Sequence, residues 1–153
     1  MENIREIMEA AVNKYGASKA FTLKQGNGEY RDISYSRYYE EIRCLGEALL
    51  CRGFSNTRIV IIGKNSYNWY LANMATLLTS NITVPLDKEL KYDEFESSLI
   101  RSEAEVIFYD EKESESVAKA ISSGKTRIKA AFPLFRVSDK TDIYDLTVEG
   151  REL

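Results

Sequence analysis

RIVIIGKNSYNWYLANMATLLTSNITVPLD, residues Arg58 to Asp87, is the stretch from which the architecture follows. Its first run, Ile59-Val60-Ile61-Ile62, is continuous, apolar and mostly β-branched, and Gly63 closes it. Such a run reads as a strand covered on both faces, as in a parallel sheet. A helix from about Ser66 to Ser80 follows, with Trp69, Tyr70, Met74, Leu77 and Leu78 expected on its apolar side. Ile82 to Leu86 reads as a second buried strand, and Pro85 sits near its end, where a missing N–H costs least. Strand, helix and strand in one short stretch make a βαβ unit, whose crossover is expected to be right-handed.

Upstream, Ser36 is the expected cap of a helix reaching about Arg52. Tyr38, Tyr39, Ile42, Leu45, Leu49 and Leu50 recur there at helical spacing, and Gly53 stands where a C-terminal glycine belongs. Two β-prone runs, from Ala20 and from Glu29, flank Gln25-Gly26-Asn27-Gly28 and read as a hairpin. Residues 1–15 read as an amphipathic helix with Ile4, Ile7, Met8, Ala11 and Val12 on one face, either packed on the domain or held as a loose arm.

Downstream, Asp93-Glu94-Phe95-Glu96 resembles a capping box opening a helix that carries Phe95, Leu99 and Ile100 and ends near Ser102. Val106 to Tyr109 is the next strand. A more polar helix with Val117, Ala118 and Ile121 runs to Gly124. Ile128 to Leu134 is a further strand containing Pro133, and Asp142 to Leu153 is a last helix. Helices alternating with short apolar strands predict an α/β fold: a mainly parallel sheet flanked by helices, with an N-terminal β-hairpin. There is no internal repeat and no low-complexity tract, so the chain reads as one domain or part of one.

At 153 residues the chain can bury roughly 70% of its unfolded surface. Hydrophobic residues make up 44% and charged residues 29%, an ordinary globular balance. A net charge of −3 and a pI near 5.2 offer nucleic acid or an anionic membrane no attraction. No apolar run approaches the ~20 residues a membrane span needs, and the amphipathic N-terminus is not a signal peptide. Cys44 and Cys51 fall on one predicted helix, too far apart for a disulfide. Free thiols imply a reducing compartment, hence the cytoplasm. The chain has no histidine. Ser-His-Asp and Cys-His hydrolysis, His-ligated zinc and histidine bases are therefore excluded.

The remaining candidates each have a plain structural explanation. Gly63-Lys64-Asn65-Ser66 could hold a phosphate at a helix start, but it has a single glycine where phosphate loops have several. Ser122-Ser123-Gly124-Lys125 follows a helix instead of opening one and reads as a cap and turn. Asp87 and Asp110 both follow strands at the edge where open α/β sheets bind ligands, and together could hold Mg²⁺ as receiver domains do. Turn and cap roles account for both. Ten tyrosines and one tryptophan could line an apolar site, but read first as core. The run Asp110-Glu111-Lys112-Glu113 reads as solvated surface. No residue acquires a catalytic, cofactor-binding or metal-binding role from its own chemistry.

Several segments, taken in order, resemble the adenylate-forming (AMP-binding) enzymes, which include acyl-CoA synthetases, peptide-synthetase adenylation domains and luciferases. Ile33-Ser34-Tyr35-Ser36-Arg37-Tyr38 is similar to that family's L-T-Y-x-E-L segment, with Arg37 in place of the usual Glu. Leu45-Gly46, Ala48-Leu49, Arg58 to Ser66, and Thr83-Val84-Pro85-Leu86-Asp87 resemble its next segments. The likeness covers roughly Tyr15 to Ser122 and, in its wording, looks closest to bacterial long-chain fatty acid–CoA ligases. It implies activation of a fatty acid with ATP to an acyl-adenylate, followed by transfer to coenzyme A. For the whole enzyme it implies ATP, Mg²⁺ and coenzyme A as cofactors. Its phosphate loop, adenine- and ribose-binding motifs and catalytic lysine lie downstream and find no match here. Residues 1–153 are thus expected to be an N-terminal subdomain fragment of a larger ligase, inactive alone and needing no cofactor. Its expected partners are the rest of the enzyme, and association into homo-oligomers would follow from exposed apolar surface. Asp87, Trp69 and Tyr70 take structural roles, and truncating Trp69 as a core residue would cost a few kcal/mol. Two alternatives stand beside this: a free-standing flavodoxin-like binding module without catalysis, and a receiver-like Mg²⁺ domain.

Overall fold

The structure is a computed structural model that describes residues 3–24 and 27–153. Helix α1 (Ile4–Tyr15) leads into a hairpin of β1 (Lys19–Lys24) and β2 (Tyr30–Ser34), then α2 (Tyr35–Cys51). Next come β3 (Arg58–Ile62), α3 (Tyr67–Leu78) and β4 (Ile82–Leu86), the expected βαβ unit. Helix α4 (Tyr92–Ser102), β5 (Val106–Tyr109), a 3₁₀ turn (Glu111–Glu113) with α5 (Ser114–Ser122), β6 (Ala130–Pro133) and α6 (Ile143–Arg151) complete the chain. The four strands β4-β3-β5-β6 form one all-parallel sheet in that order, and the hairpin is a separate antiparallel pair.

Strand β3 explains the continuous apolar run that opens the chain's central stretch. It lies between β4 and β5, so Ile59 and Ile61 enter one core and Val60 and Ile62 the other. The first core joins the sheet to α2, α3 and α6 through Leu45, Leu49, Leu71 and Leu146. The second joins it to α4 and α5 through Phe95, Leu99 and Val117. Both faces are covered, as parallel sheets require. On the first face the hairpin is anchored by Phe21, whose ring lies edge-on to Tyr38 and Tyr67 at 4.9 and 5.1 Å.

Several local expectations need correction. Ser34, not Ser36, caps α2: its Oγ accepts from the Arg37 N–H at 3.1 Å. Gly53 follows that helix in left-handed backbone, as expected. The cap of α4 is Lys91, with no side-chain hydrogen bond. Asp93 and Glu94 instead lie inside its first turn, where acids complement the helix dipole. Strand β4 is not buried. It is the sheet's edge, and Ile82 is 51% exposed. Pro85 is tolerated there because its missing N–H faces away from β3's ladder. Gln25 and Gly26 of the expected hairpin loop lie outside the described residues.

Helix α3 meets the expected face in part: Trp69, Met74 and Leu78 pack against the core, but its buried centre lies elsewhere. Tyr67, Leu71, Ala72, Ala75 and Thr76 are buried, whereas Tyr70 is 39% exposed and Trp69 is only partly covered. The small residues seat the helix close to the sheet, and the large aromatics flank it. Ile100 and Ile121 point outward as well, and Ala118 is exposed. Trp69→Ala is therefore expected to cost about 1–2 kcal/mol, below the range for fully buried aromatics. Urea unfolding of the variant measures this; a loss of ~4 kcal/mol would restore Trp69 to the core.

Helix α1 packs on the domain and is not a loose arm. The Tyr39 hydroxyl donates to Glu9 at 3.1 Å, and Arg5 donates to the Leu78 carbonyl at 3.0 Å. Both cysteines are free, Cys44 buried and Cys51 exposed. Among the described residues no helix is long and apolar enough to cross a membrane.

Candidate functional site

In an open parallel sheet, ligands bind beyond the carboxyl ends of the strands, where the strand order reverses. Here that point lies between β3 and β5, since β4 was added on one side of β3 and β5 on the other. The structure brings most of the sequence candidates to this edge. Gly63 leaves β3 beside Asp110, which leaves β5, and the Asp110 N–H donates to the Ile62 carbonyl at 3.0 Å. A Cβ on Gly63 would stand 2.7 Å from that of Asp110, so the glycine is required by close approach. At the reversal the two strand ends thus approach closely, and Gly63 also borders an open depression on the β4 side.

Both aspartates there accept from local backbone. Asp110 Oδ1 accepts from the Glu111 N–H at 2.8 Å and caps the 3₁₀ turn. Asp87 Oδ1 accepts from the Glu89 N–H at 2.9 Å, a local Asx turn. The Ser66 hydroxyl accepts from the Trp69 N–H at 3.2 Å, capping α3. Lys64 and Asn65 are exposed beside a depression of about 430 Å³, whose rim also carries Asp87 and Lys88. One glycine serves packing, the hydroxyl serves a cap, and the carboxylates serve turns. Among the described residues no three His, Cys, Asp or Glu side chains converge as a metal site would need. At the far edge, Ser123 Oγ accepts from the Lys125 N–H and donates to the Ala120 carbonyl, so Ser122 to Lys125 is the cap and turn expected.

One residue at this edge escaped the sequence reading. Glu113 is 8% exposed, although its neighbours Glu111 and Lys112 are solvated. Its Oε2 has no hydrogen-bond partner among the described residues. The available signal was its spacing from Val117 and Ala120, the buried face of α5. Burial first, and the Asp110 charge second, push its carboxyl above the usual glutamate range. The fold then favours the protonated acid. That contribution is full below the unfolded pKa of ~4.3 and is lost as pH rises through the folded value. Glu113→Gln is expected to gain on the parent as pH rises from 4 to 7, read from paired urea midpoints. Parallel pH profiles would show that the acid is not held protonated.

A long-chain-fatty-acid–CoA ligase of Xenopus laevis is 30% identical over 82 residues, which cover 53% of this chain and 11% of the ligase. The adenylation–carrier didomain of a carboxylic acid reductase from Segniliparus rugosus, solved with AMP, superposes with a TM-score of 0.81 at 14% identity. That match covers 97% of this chain and 26% of the reductase piece. A long-chain-fatty-acid–CoA ligase from Archaeoglobus fulgidus superposes with a TM-score of 0.79 at 15% identity, covering 94% of this chain and 29% of that one. The chain thus spans about a tenth of the curated relative and under a third of these structures. The profile of the AMP-binding enzymes matches residues 8–146. Matched along nearly its whole length, and folded like the first part of such enzymes, this chain belongs to the AMP-binding enzyme family.

Proposed function

We propose that this chain is the N-terminal subdomain of an AMP-forming acyl-CoA synthetase that activates a long-chain fatty acid. In that reaction the carboxylate displaces pyrophosphate from ATP, giving an acyl-adenylate, and the coenzyme A thiol then displaces AMP. The observation that carries the reading is the family match over residues 8–146. The ligase of Xenopus laevis supports the acyl class through its 30% identity over 82 residues. ATP, Mg²⁺ and coenzyme A belong, on this reading, to segments beyond these residues. What supports that placement is the local use of the sheet edge, where Ser66, Asp87 and Asp110 accept from nearby backbone N–H groups.

The role left to this part is architectural. It supplies a rigid two-faced sheet, with β4 and β6 as open edges, against which further chain can build. The test is ATP–pyrophosphate exchange with palmitate, run on the 153-residue chain and on the longer reading frame that contains it. Exchange by the longer protein and none by the chain alone is expected. Turnover by the chain alone, or none by the longer protein, overturns the proposal. The strand order β4-β3-β5-β6 suits a flavodoxin-like binding module equally well. That second reading requires saturable binding without exchange in either form.

A further inference from the structure

A groove of about 250 Å³ lies where the hairpin, α2, α3 and α6 meet. It shares no lining residue with the depression at the sheet edge. Its accessible apolar wall is Leu23 of β1 and Val148 of α6, backed by the buried Ile33, Leu71 and Ile143. Its charged lining is unequal: Arg31, Arg37 and Arg151 against the single carboxylate of Glu41. Glu41 is shared. It accepts from the Tyr67 hydroxyl at 2.7 Å and stands 3.8 Å from Arg37 Nε. Burial and that hydrogen bond hold the Tyr67 phenol well above the usual tyrosine range, so it adds no negative charge. Among the described residues Arg31 and Arg151 make no ion pair, and a further carboxylate near Arg151, that of Glu40, is held by Arg43 at 2.6 Å.

Such a site repels cations and offers an oxyanion the planar, forked donors that guanidinium groups supply. The apolar wall selects for a body attached to that oxyanion. With a water-sized unit taking ~30 Å³, the groove holds about eight such units, or a body of about ten heavy atoms. We propose that this groove binds a small amphipathic oxyanion, its charged end at Arg31, Arg37 and Arg151 and its apolar body over Leu23 and Val148, above the buried Ile33, Leu71 and Ile143. Because all four walls belong to different elements, an occupant ties the hairpin and α6 to α2. The inference stands apart from the family reading and holds whichever acid a longer enzyme activates.

The test titrates the ¹⁵N-labelled chain with 4-phenylbutanoate, phenyl phosphate and 4-phenylbutylammonium. Saturable amide shifts at Ile33, Leu71 and Ile143 are expected with at least one of the two anions. Whichever binds more tightly identifies the oxyanion as carboxylate or phosphate. The ammonium compound should bind roughly tenfold or more weakly, and so should the better anion to the Arg31→Gln/Arg151→Gln variant. Arg151 is exposed and Arg31 half-buried, and unchanged circular dichroism will show that the variant folds. Equal binding of the cation, shifts confined to other residues, or an unweakened variant each overturns the proposal.

Discussion

Replacing Gly150 by alanine is expected to destabilise the protein by about 3 kcal/mol or more, at the upper end of overpacking costs. Alanine is the better helix former by ~1 kcal/mol, so helix propensity alone gives the opposite sign. Packing decides. Gly150 lies in α6 against α2, and a Cβ there would overlap the Cys44 carbonyl and stand 3.0 Å from the Cys44 Cα. Backbone cannot rotate out of the way as a side chain can, so the two helices must separate. Separation would also pull Glu149 from Arg52, which it meets at 2.9 Å, and lift Leu146 from the core. For a chain of this size the loss corresponds to a fall in Tm of about 6–12 °C. Val148→Ala, on the exposed side of the same helix, should cost less than ~1 kcal/mol. Equal or higher stability of Gly150→Ala would mean that the two helices do not meet as described.

Asn81→Leu is expected to cost about 3–5 kcal/mol. Asn81 is 6% exposed and uses its whole amide. Its Oδ1 accepts from the Thr57 N–H at 2.9 Å, and its Nδ2 donates to the Phe54 carbonyl at 3.0 Å and to Thr79 Oγ1 at 2.8 Å. The residue joins the loop before β3 to the loop before β4, which sets the register of the two strands. Leucine keeps the approximate size but strands a buried N–H and a buried carbonyl, each worth about 1–3 kcal/mol. Asn81→Asp keeps the acceptor but sets a buried carboxylate oxygen against the Phe54 carbonyl, so a cost at least as large as that of leucine is expected at neutral pH. Urea midpoints order the three proteins. A leucine variant as stable as the parent would show that water reaches this site and replaces the amide.

Neither residue announces itself in the sequence. Asn81 and Gly150 are short polar and small residues of the kind found in any loop or helix end, and only tertiary contact gives them their weight. The βαβ unit was legible because β3 lies inside the sheet, where burial on both faces forces an unbroken β-branched run. β4 carries almost the same apolar signature at the sheet's edge, since its pattern does not record which strands become neighbours. The inner face of α3 is legible only in part for a related reason, since Met74 and Leu78 do pack at the margin of the core. Close approach to the sheet selects Ala72 and Ala75, while the conspicuous aromatics Trp69 and Tyr70 are displaced to the flank. At the sheet edge, Gly63, Asp87 and Asp110 were found by their positions after strands. Glu113 was hidden in a charged run whose helical phase buries one member. The arginines of the groove come from β2, α2 and α6, and no local pattern joins them.

Sequencing the gene past the codon for Leu153 tests the central claim most directly. An open frame continuing into a glycine- and hydroxyl-rich loop, with nucleotide-binding segments beyond it, is the result the proposed synthetase reading predicts. A stop codon at that point would contradict the synthetase reading and leave a binding module, to be judged by what its arginine-lined groove takes up.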